Sequence, residues 1–257
     1  MSFSNLRTQV CRAGLLILAL GAGCQEMNRT KSRPTTSARA MTTDDVLDRC
    51  VAAYGRVKSL RVIGVLRDNR QDERRMQPIR WELERPDKCR LQIGTNVSIV
   101  VGQAYWNYDS QSHKFKRARL TTRTPMETTG YVMTRGVSFL LPTLFERDEA
   151  AFGRSRARGY VDWRLTGVAW LDEHPCYVVC RKEGAGGKEL TRRVWVDQDS
   201  YLVRAWDLVE PGADGRDNIL VAETMHEMTV NQPIPANMFS VEGAEEVEEG
   251  TDGTEQR

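Results

Sequence analysis

Six cysteines and three histidines hold most of the reactive side-chain chemistry in this chain. His174, Cys176 and Cys180 fall on one face of a predicted strand, a donor set that zinc accepts. Zinc thiolates usually come closer together, as in Cys-x-x-Cys, and one ion cannot span His174 to Cys180 without a bend. A strand that follows a tight His-Pro turn is the better reading. His113 and His226 are isolated, and no serine or cysteine nucleophile stands beside a histidine. Asp197 and Asp199 flank a hairpin turn, where turn chemistry outweighs a paired-carboxylate role. The expectation is therefore a protein that is not an enzyme, with no metal and no cofactor. A hydrolase or metal enzyme is the disfavoured class.

Cys24 has the most specific context. Arg7 and Arg12 precede a short apolar core, Leu15 to Leu20, and the small residues Gly21, Ala22 and Gly23 follow. This is the layout of a secretory signal peptide, residues 1–23. The core falls short of the roughly 20 apolar residues that a transmembrane helix needs. Leu20-Gly21-Ala22-Gly23-Cys24 resembles the bacterial lipobox, with Gly21 where that family usually has leucine. The resemblance implies a diacylglyceryl group on Cys24, palmitate being an expected acyl chain, and an exported lipoprotein that faces the periplasm. The alternative is an ordinary signal peptide that contains a cysteine. Gln25, rather than aspartate, after the cysteine favours the outer over the inner membrane.

Cys24 and residues to 41 form a polar segment with no apolar period, read as a flexible tether. Residues 243–257, rich in Glu, Gly and Thr, read as a disordered acidic tail. The domain between them, residues 42–242, is long enough for one hydrophobic core. The 37 basic and 35 acidic residues give a formal charge of +2. That balance offers no electrostatic case for nucleic acid. The basic runs Arg67 to Arg75 and Arg154 to Arg158 read as solvated loops, with anionic lipid contact as the sharper option. Cys50, Cys89, Cys176 and Cys180 remain in the domain. Cys176 and Cys180 share a strand about 13 Å apart, out of disulfide reach. Cys50 and Cys89 are candidates for a bridge from helix to strand; buried thiols are the alternative.

Thr42-Thr43-Asp44-Asp45 supplies helix N-cap residues, and Val46, Leu47, Cys50, Val51, Tyr54 and Val57 follow at helical spacing to about Lys58. A strand follows at Arg61 to Leu66. Ile79, Trp81 and Leu83 then alternate with Arg80, Glu82 and Glu84, and Cys89, Leu91 and Ile93 alternate with Arg90 and Gln92. Further short strands run to Val230, separated by turn residues. The exception is the apolar stretch Gly136 to Phe145, broken by Pro142, a short helix or loop over the sheet. About ten or eleven antiparallel strands must curl, close or split. The fold class is mainly β (α+β), an antiparallel sheet curled or closed into a barrel, with an N-terminal helix.

Several segments resemble the LolA/LolB-type lipoprotein-carrier family. They are the helix end Lys58-Ser59-Leu60, then Glu84-Arg85-Pro86-Asp87-Lys88-Cys89-Arg90-Leu91, then Gly102-Gln103-Ala104-Tyr105-Trp106-Asn107-Tyr108-Asp109, and the closing Pro233 to Val241. Val101 stands where the family usually has aspartate. The resemblance implies an unclosed antiparallel barrel plugged by the N-terminal helix and a helical lid, with an apolar interior for acyl chains. It makes Arg85 the candidate lid latch, against a solvated arginine before a turn proline. Trp81, Leu83, Leu91, Trp106 and Trp163 become cavity candidates, with Phe139, Leu140, Leu141, Leu144 and Phe145 from the lid. The implied function is a membrane-anchored binding protein for lipid or lipoprotein acyl chains, in sorting or transfer. The alternative is an envelope-stress sensor or regulatory module on the same fold, with a membrane protein as its partner.

Overall fold

The computed structural model describes residues 41–70, 75–119, 140–146, 152, 154–155, 159–160, 162–185, 188–212 and 214–247. The signal segment, Cys24, the tether, Phe139 and residues 248–257 lie outside the described residues.

Helix α1 spans Thr43–Gly55. Thr42 caps it: its hydroxyl accepts from the Asp45 amide at 3.1 Å, and the Asp45 carboxylate accepts from the Thr42 amide at 3.0 Å. This reciprocal pair satisfies two amides that the first turn leaves open, and such a cap is worth about 1 kcal/mol. Val46, Leu47, Cys50, Ala53 and Tyr54 form its buried stripe. The helical pattern in the sequence runs on to about Lys58, but the helix stops at Gly55. Asn231 explains the early stop, because its side-chain carbonyl takes the Lys58 amide at 2.7 Å and draws the chain into the sheet.

The strands follow in order: β1 (Ser59–Asp68), β2 (Arg75–Glu84), β3 (Lys88–Ile93), β4 (Asn96–Val101), β5 (Ala104–Asp109) and β6 (Lys114–Arg119). Helix α2 (Leu140–Glu146) intervenes, then a small hairpin of β7 (Arg154–Ser155) and β8 (Gly159–Tyr160). The chain continues with β9 (Trp163–Leu171), β10 (His174–Ala185), β11 (Lys188–Asp197), β12 (Val203–Pro211) and β13 (Asp217–Val230). It closes with a 3-10 turn (Ala236–Phe239) and β14 (Glu245–Glu246).

Twelve strands make one sheet in the order β14-β6-β5-β4-β3-β2-β1-β13-β12-β11-β10-β9. Its two ends, β14 and β9, do not pair, so the barrel is unclosed. All pairings are antiparallel except β14 with β6. Register shifts at Ile63/Gly64, Val178/Val179, Trp195/Val196 and Leu208/Val209 bend individual strands, as bulges do. At Gly64 the β1 backbone approaches β13 so closely that a Cβ would lie 2.1 Å from the Thr224 carbonyl oxygen. This is the fold class that the strand pattern and the family resemblance implied. Two details differ. The stretch read as one strand from Tyr160 to Trp170 divides into β8 and β9, and Glu245–Glu246, read as part of the tail, pairs with Lys114–Phe115.

The inner face of the sheet, α1 and α2 share one hydrophobic cluster, in which Leu60, Trp81, Leu83, Val194 and Trp206 are buried. Fully burying one such large side chain is worth about 1.5–3 kcal/mol. A second, smaller cluster lies on the outer face, where Ile234 and Phe239 of the closing segment cover Val97 and Ile99 of β4.

Candidate functional site

The inner face is built from alternate positions of successive strands. Val62 pairs with Trp81 and Trp81 with Leu91, so these side chains line up on one side of the sheet. Trp81, Leu83 and Leu91 are fully buried there, and Trp163 is nearly so. Leu140, Leu141, Leu144 and Phe145 of α2 enter the same cluster, as does the helix α1. Eight of the ten cavity candidates therefore converge. Phe139 lies outside the described residues. Trp106 is the correction: it pairs with Ile99 and belongs to the outer cluster, and the Arg117 guanidinium sits 6.0 Å from its ring centre. The strand period explains this. Tyr105, the neighbour of Trp106, takes the inner position and packs against the main cluster, its hydroxyl 3.0 Å from that of Ser98.

Arg85 lies at the junction of sheet and helices, before a cis Arg85–Pro86 peptide. Its Nε donates to the Val57 carbonyl at 2.9 Å and its Nη2 to the Tyr54 carbonyl at 3.3 Å. The same guanidinium stands 4.7 Å from the centre of the Phe145 ring. One side chain thus holds the C-terminal end of α1 by hydrogen bonds and α2 by a cation–π contact. A planar guanidinium can do both at once, because its donors lie in the plane and its faces remain available.

The other half of the inner face is polar, which the sequence reading missed. Glu223 is fully buried. Its two oxygens accept from the indole N–H groups of Trp81 at 2.9 Å and Trp206 at 2.8 Å. Arg192 lies over the Trp206 ring at 5.3 Å and donates to Glu183 at 2.8 Å. Arg181 donates to the same carboxylate at 2.6 Å and stacks over Trp163 at 5.2 Å. Burial pushes the Glu183 carboxyl up, but its bonds to Arg192 and Arg181 outweigh that and hold it below the usual carboxylate range. A signal for this row existed in the strand period. Glu223 shares its two-residue step with Val221 and Met225, and Arg192 with Leu190 and Val194, each a polar residue at an inner-facing position.

The remaining candidates have structural partners. Cys50 is a free thiol, so the bridge to Cys89 is not formed. Both side chains are fully buried in the main cluster, and desolvation drives the Cys50 thiol pKa well up. His174 pairs with Asp197 at 3.2 Å, and His226 lies 3.9 Å from Asp172. Asp197 caps its own turn, accepting from the Asp199 and Ser200 amides at 3.1 and 2.7 Å. No group of three or more histidine, cysteine or acidic side chains among the described residues is placed to hold a metal. On the outer face a cavity of about 350 Å³ is lined by Val65, Met76, Leu171, Trp195, Ile219 and His226, among others.

No known family profile matches the sequence, and no curated protein matches it. Solved structures do match. An uncharacterized conserved protein from Thermus thermophilus has 12% identity and a TM-score of 0.47, over 79% of this chain and 96% of that one. The lipoprotein LppX from Mycobacterium tuberculosis has 10% identity and a TM-score of 0.42, over 75% and 96%. A LolA superfamily protein from Nitrosomonas europaea has 14% identity and a TM-score of 0.32, over 78% and 98%. Likenesses this distant do not transfer a function, so the reading that follows rests on the geometry of the inner face.

Proposed function

We propose that this protein binds lipid or lipoprotein acyl chains on the inner face of its open sheet, beneath α1 and α2. The observation that carries the reading is the position of Arg85. The main cluster lies between a sheet that does not close and two helices, and one guanidinium joins both helices to the sheet. Helix α1 is pinned to the sheet by further bonds, Val203 to Tyr54 and Leu165 to Thr43, so α2 is the element that can swing as a lid and admit a chain among Trp81, Leu83, Leu91 and Leu144. An apolar interior with a few placed polar groups is a common form of ligand site, and the Glu183–Arg192–Glu223 row supplies those groups.

The role follows from the compartment. With Cys24 lipidated, the domain is tethered to one membrane, the outer membrane being favoured, by roughly 17 residues that reach about 20–25 Å as a coil. A tethered barrel serves as a fixed acceptor or donor in lipoprotein or lipid sorting, not as a free shuttle. Native mass spectrometry of the Cys24→Ala chain, purified from a bacterial host, tests the binding. A co-purifying acyl lipid that organic extraction removes is expected, and a chain that is empty and takes up no added lipid refutes the reading. Labelling with a fatty-acid analogue, lost in Cys24→Ala, tests the anchor.

A further inference from the structure

The edge strand β6 reads Lys114-Phe115-Lys116-Arg117-Ala118-Arg119, and all of its residues except Phe115 are exposed. Several half-buried arginines elsewhere are matched to carboxylates, as Arg90 is with Glu82, Arg193 with Asp207 and Arg204 with Asp197. On β6 they are not. Among the described residues, none of Lys114, Lys116, Arg117 and Arg119 forms an ion pair; Arg119 donates to the Gln103 side chain at 3.0 Å, and Arg117 faces Trp106. The acidic strand β14 pairs with Lys114 and Phe115 only. From Lys116 to Arg119 the outer edge of the strand carries no partner strand among the described residues.

Placement matters as much as charge. Lys116 pairs with Asn107 and Arg117 with Trp106, so Lys114 and Lys116 lie on one face of the sheet while Arg117 and Arg119 lie on the other. A ligand lying on either face meets two of the four cations. Past β14, which covers the edge at Lys114 and Phe115, only a broad anionic surface that approaches edge-on meets Lys116, Arg117 and Arg119 together. Beside them lies a shallow depression of about 450 Å³, lined by Gln103, Ala104, Arg117, Ala118 and Arg119, with Glu246 as its one carboxylate. We infer that the β6 edge is a docking ridge for the anionic headgroups of a bilayer. It acts in addition to the lipid on Cys24 and orients the barrel edge-on to the membrane.

Cations on an edge strand also discourage pairing with other chains. That role predicts no preference among lipids, so lipid composition separates the two. The Cys24→Ser chain removes the anchor. Its partitioning is measured on vesicles of phosphatidylcholine alone and on vesicles of roughly 3:1 phosphatidylcholine to phosphatidylglycerol, at low and high salt. The chain is expected to prefer the anionic vesicles, and salt is expected to weaken that preference. Each cation near an anionic surface contributes about 5-fold. Neutralising two, in Lys116→Gln/Arg117→Gln, lowers the preference about 25-fold, and Lys116→Glu/Arg117→Glu abolishes it. The matched control Arg67→Glu/Arg164→Glu changes exposed arginines on β1 and β9 and leaves the preference within a few-fold. Equal partitioning to both vesicles, or an equal loss in the control, overturns the inference. Retention on heparin that the β6 variants lose, without any lipid preference, assigns the ridge to a soluble polyanion and also overturns it. The inner-face reading can fail without touching this result, because vesicle preference does not depend on a ligand in the barrel.

Discussion

Removing the Arg85 guanidinium in Arg85→Leu should free α2 while leaving the sheet intact. The Nε contact to the Val57 carbonyl at 2.9 Å is a hydrogen bond from a charged donor, worth about 1.5–3 kcal/mol. The Nη2 contact to Tyr54 at 3.3 Å is weaker, and that carbonyl keeps the Val57 amide at 3.0 Å. The contact with Phe145 adds about 0.5–1 kcal/mol. The end of α1 therefore loses the larger share, while α2 loses about 0.5–1 kcal/mol, which is about two- to fivefold in its opening equilibrium. Hydrogen exchange reads this directly. Amides of α2 (Leu140–Glu146) should exchange about two- to fivefold faster, while those of β3 (Lys88–Ile93) stay unchanged. Arg85→Lys, which keeps the charge but loses the planar fork, should fall between. If the proposed binding site is right and Arg85 stabilises its closed, empty state, the leucine variant should also hold added acyl lipid more tightly. Unchanged exchange in α2 would refute the latch. Equal acceleration in α2 and β3 would also refute it, showing that Arg85 supports the whole domain and no separate lid.

Glu223→Gln leaves one of two buried indole N–H groups facing an amide N–H, and should destabilise the domain by about 2 kcal/mol in urea unfolding; no change would mean the indoles find other acceptors. Gly64→Ala sets a methyl against the Thr224 carbonyl at a bulge, and should cost about 2–3 kcal/mol in the same assay. Burial raises the Asp197 pKa, but its bonds from Ser200 and Arg204 prevail and leave it below the usual value. A carboxylate shifted down stabilises above its unfolded pKa and loses that contribution as pH falls through the folded one. Unfolding stability should therefore decline as pH drops below about 4, and Asp197→Asn should flatten part of that decline. In a Cys11→Ser/Cys24→Ser chain, half-buried Cys180 should be alkylated first, while Cys50 and Cys176 react only on unfolding; burial pushes the Cys176 thiol up to about 11.

Local patterns settled most of the fold. The period-two alternation at Ile79-Trp81-Leu83 and Cys89-Leu91-Ile93 marks an inner face because each residue's side is fixed by the pleat alone. Thr42 and Asp45 mark the start of α1 because a cap is made by residues three apart. Arg85 could be singled out through the Arg85-Pro86 motif, but its contacts, Tyr54 of α1, Val57 after it and Phe145 of α2, come from distant parts of the chain.

What the chain could not show locally is set by pairings distant in sequence. The side on which Trp106 lies depends on the pairing of β4 with β5, which places Tyr105, and not Trp106, inside. Glu223 joins Trp81 across 142 positions, and no local window relates them. Glu245 and Glu246 look like part of an unstructured acidic stretch until β6 offers them an open edge. The sequence by itself determined which residues alternate and where helices begin. Only the tertiary structure decided which faces meet, because burial and hydrogen-bond satisfaction are settled between strands and not along one. The same holds for the four cations of β6, which form no ion pair among the described residues: their charge is written in the sequence, but their place near the edge of an unclosed sheet is a property of the fold.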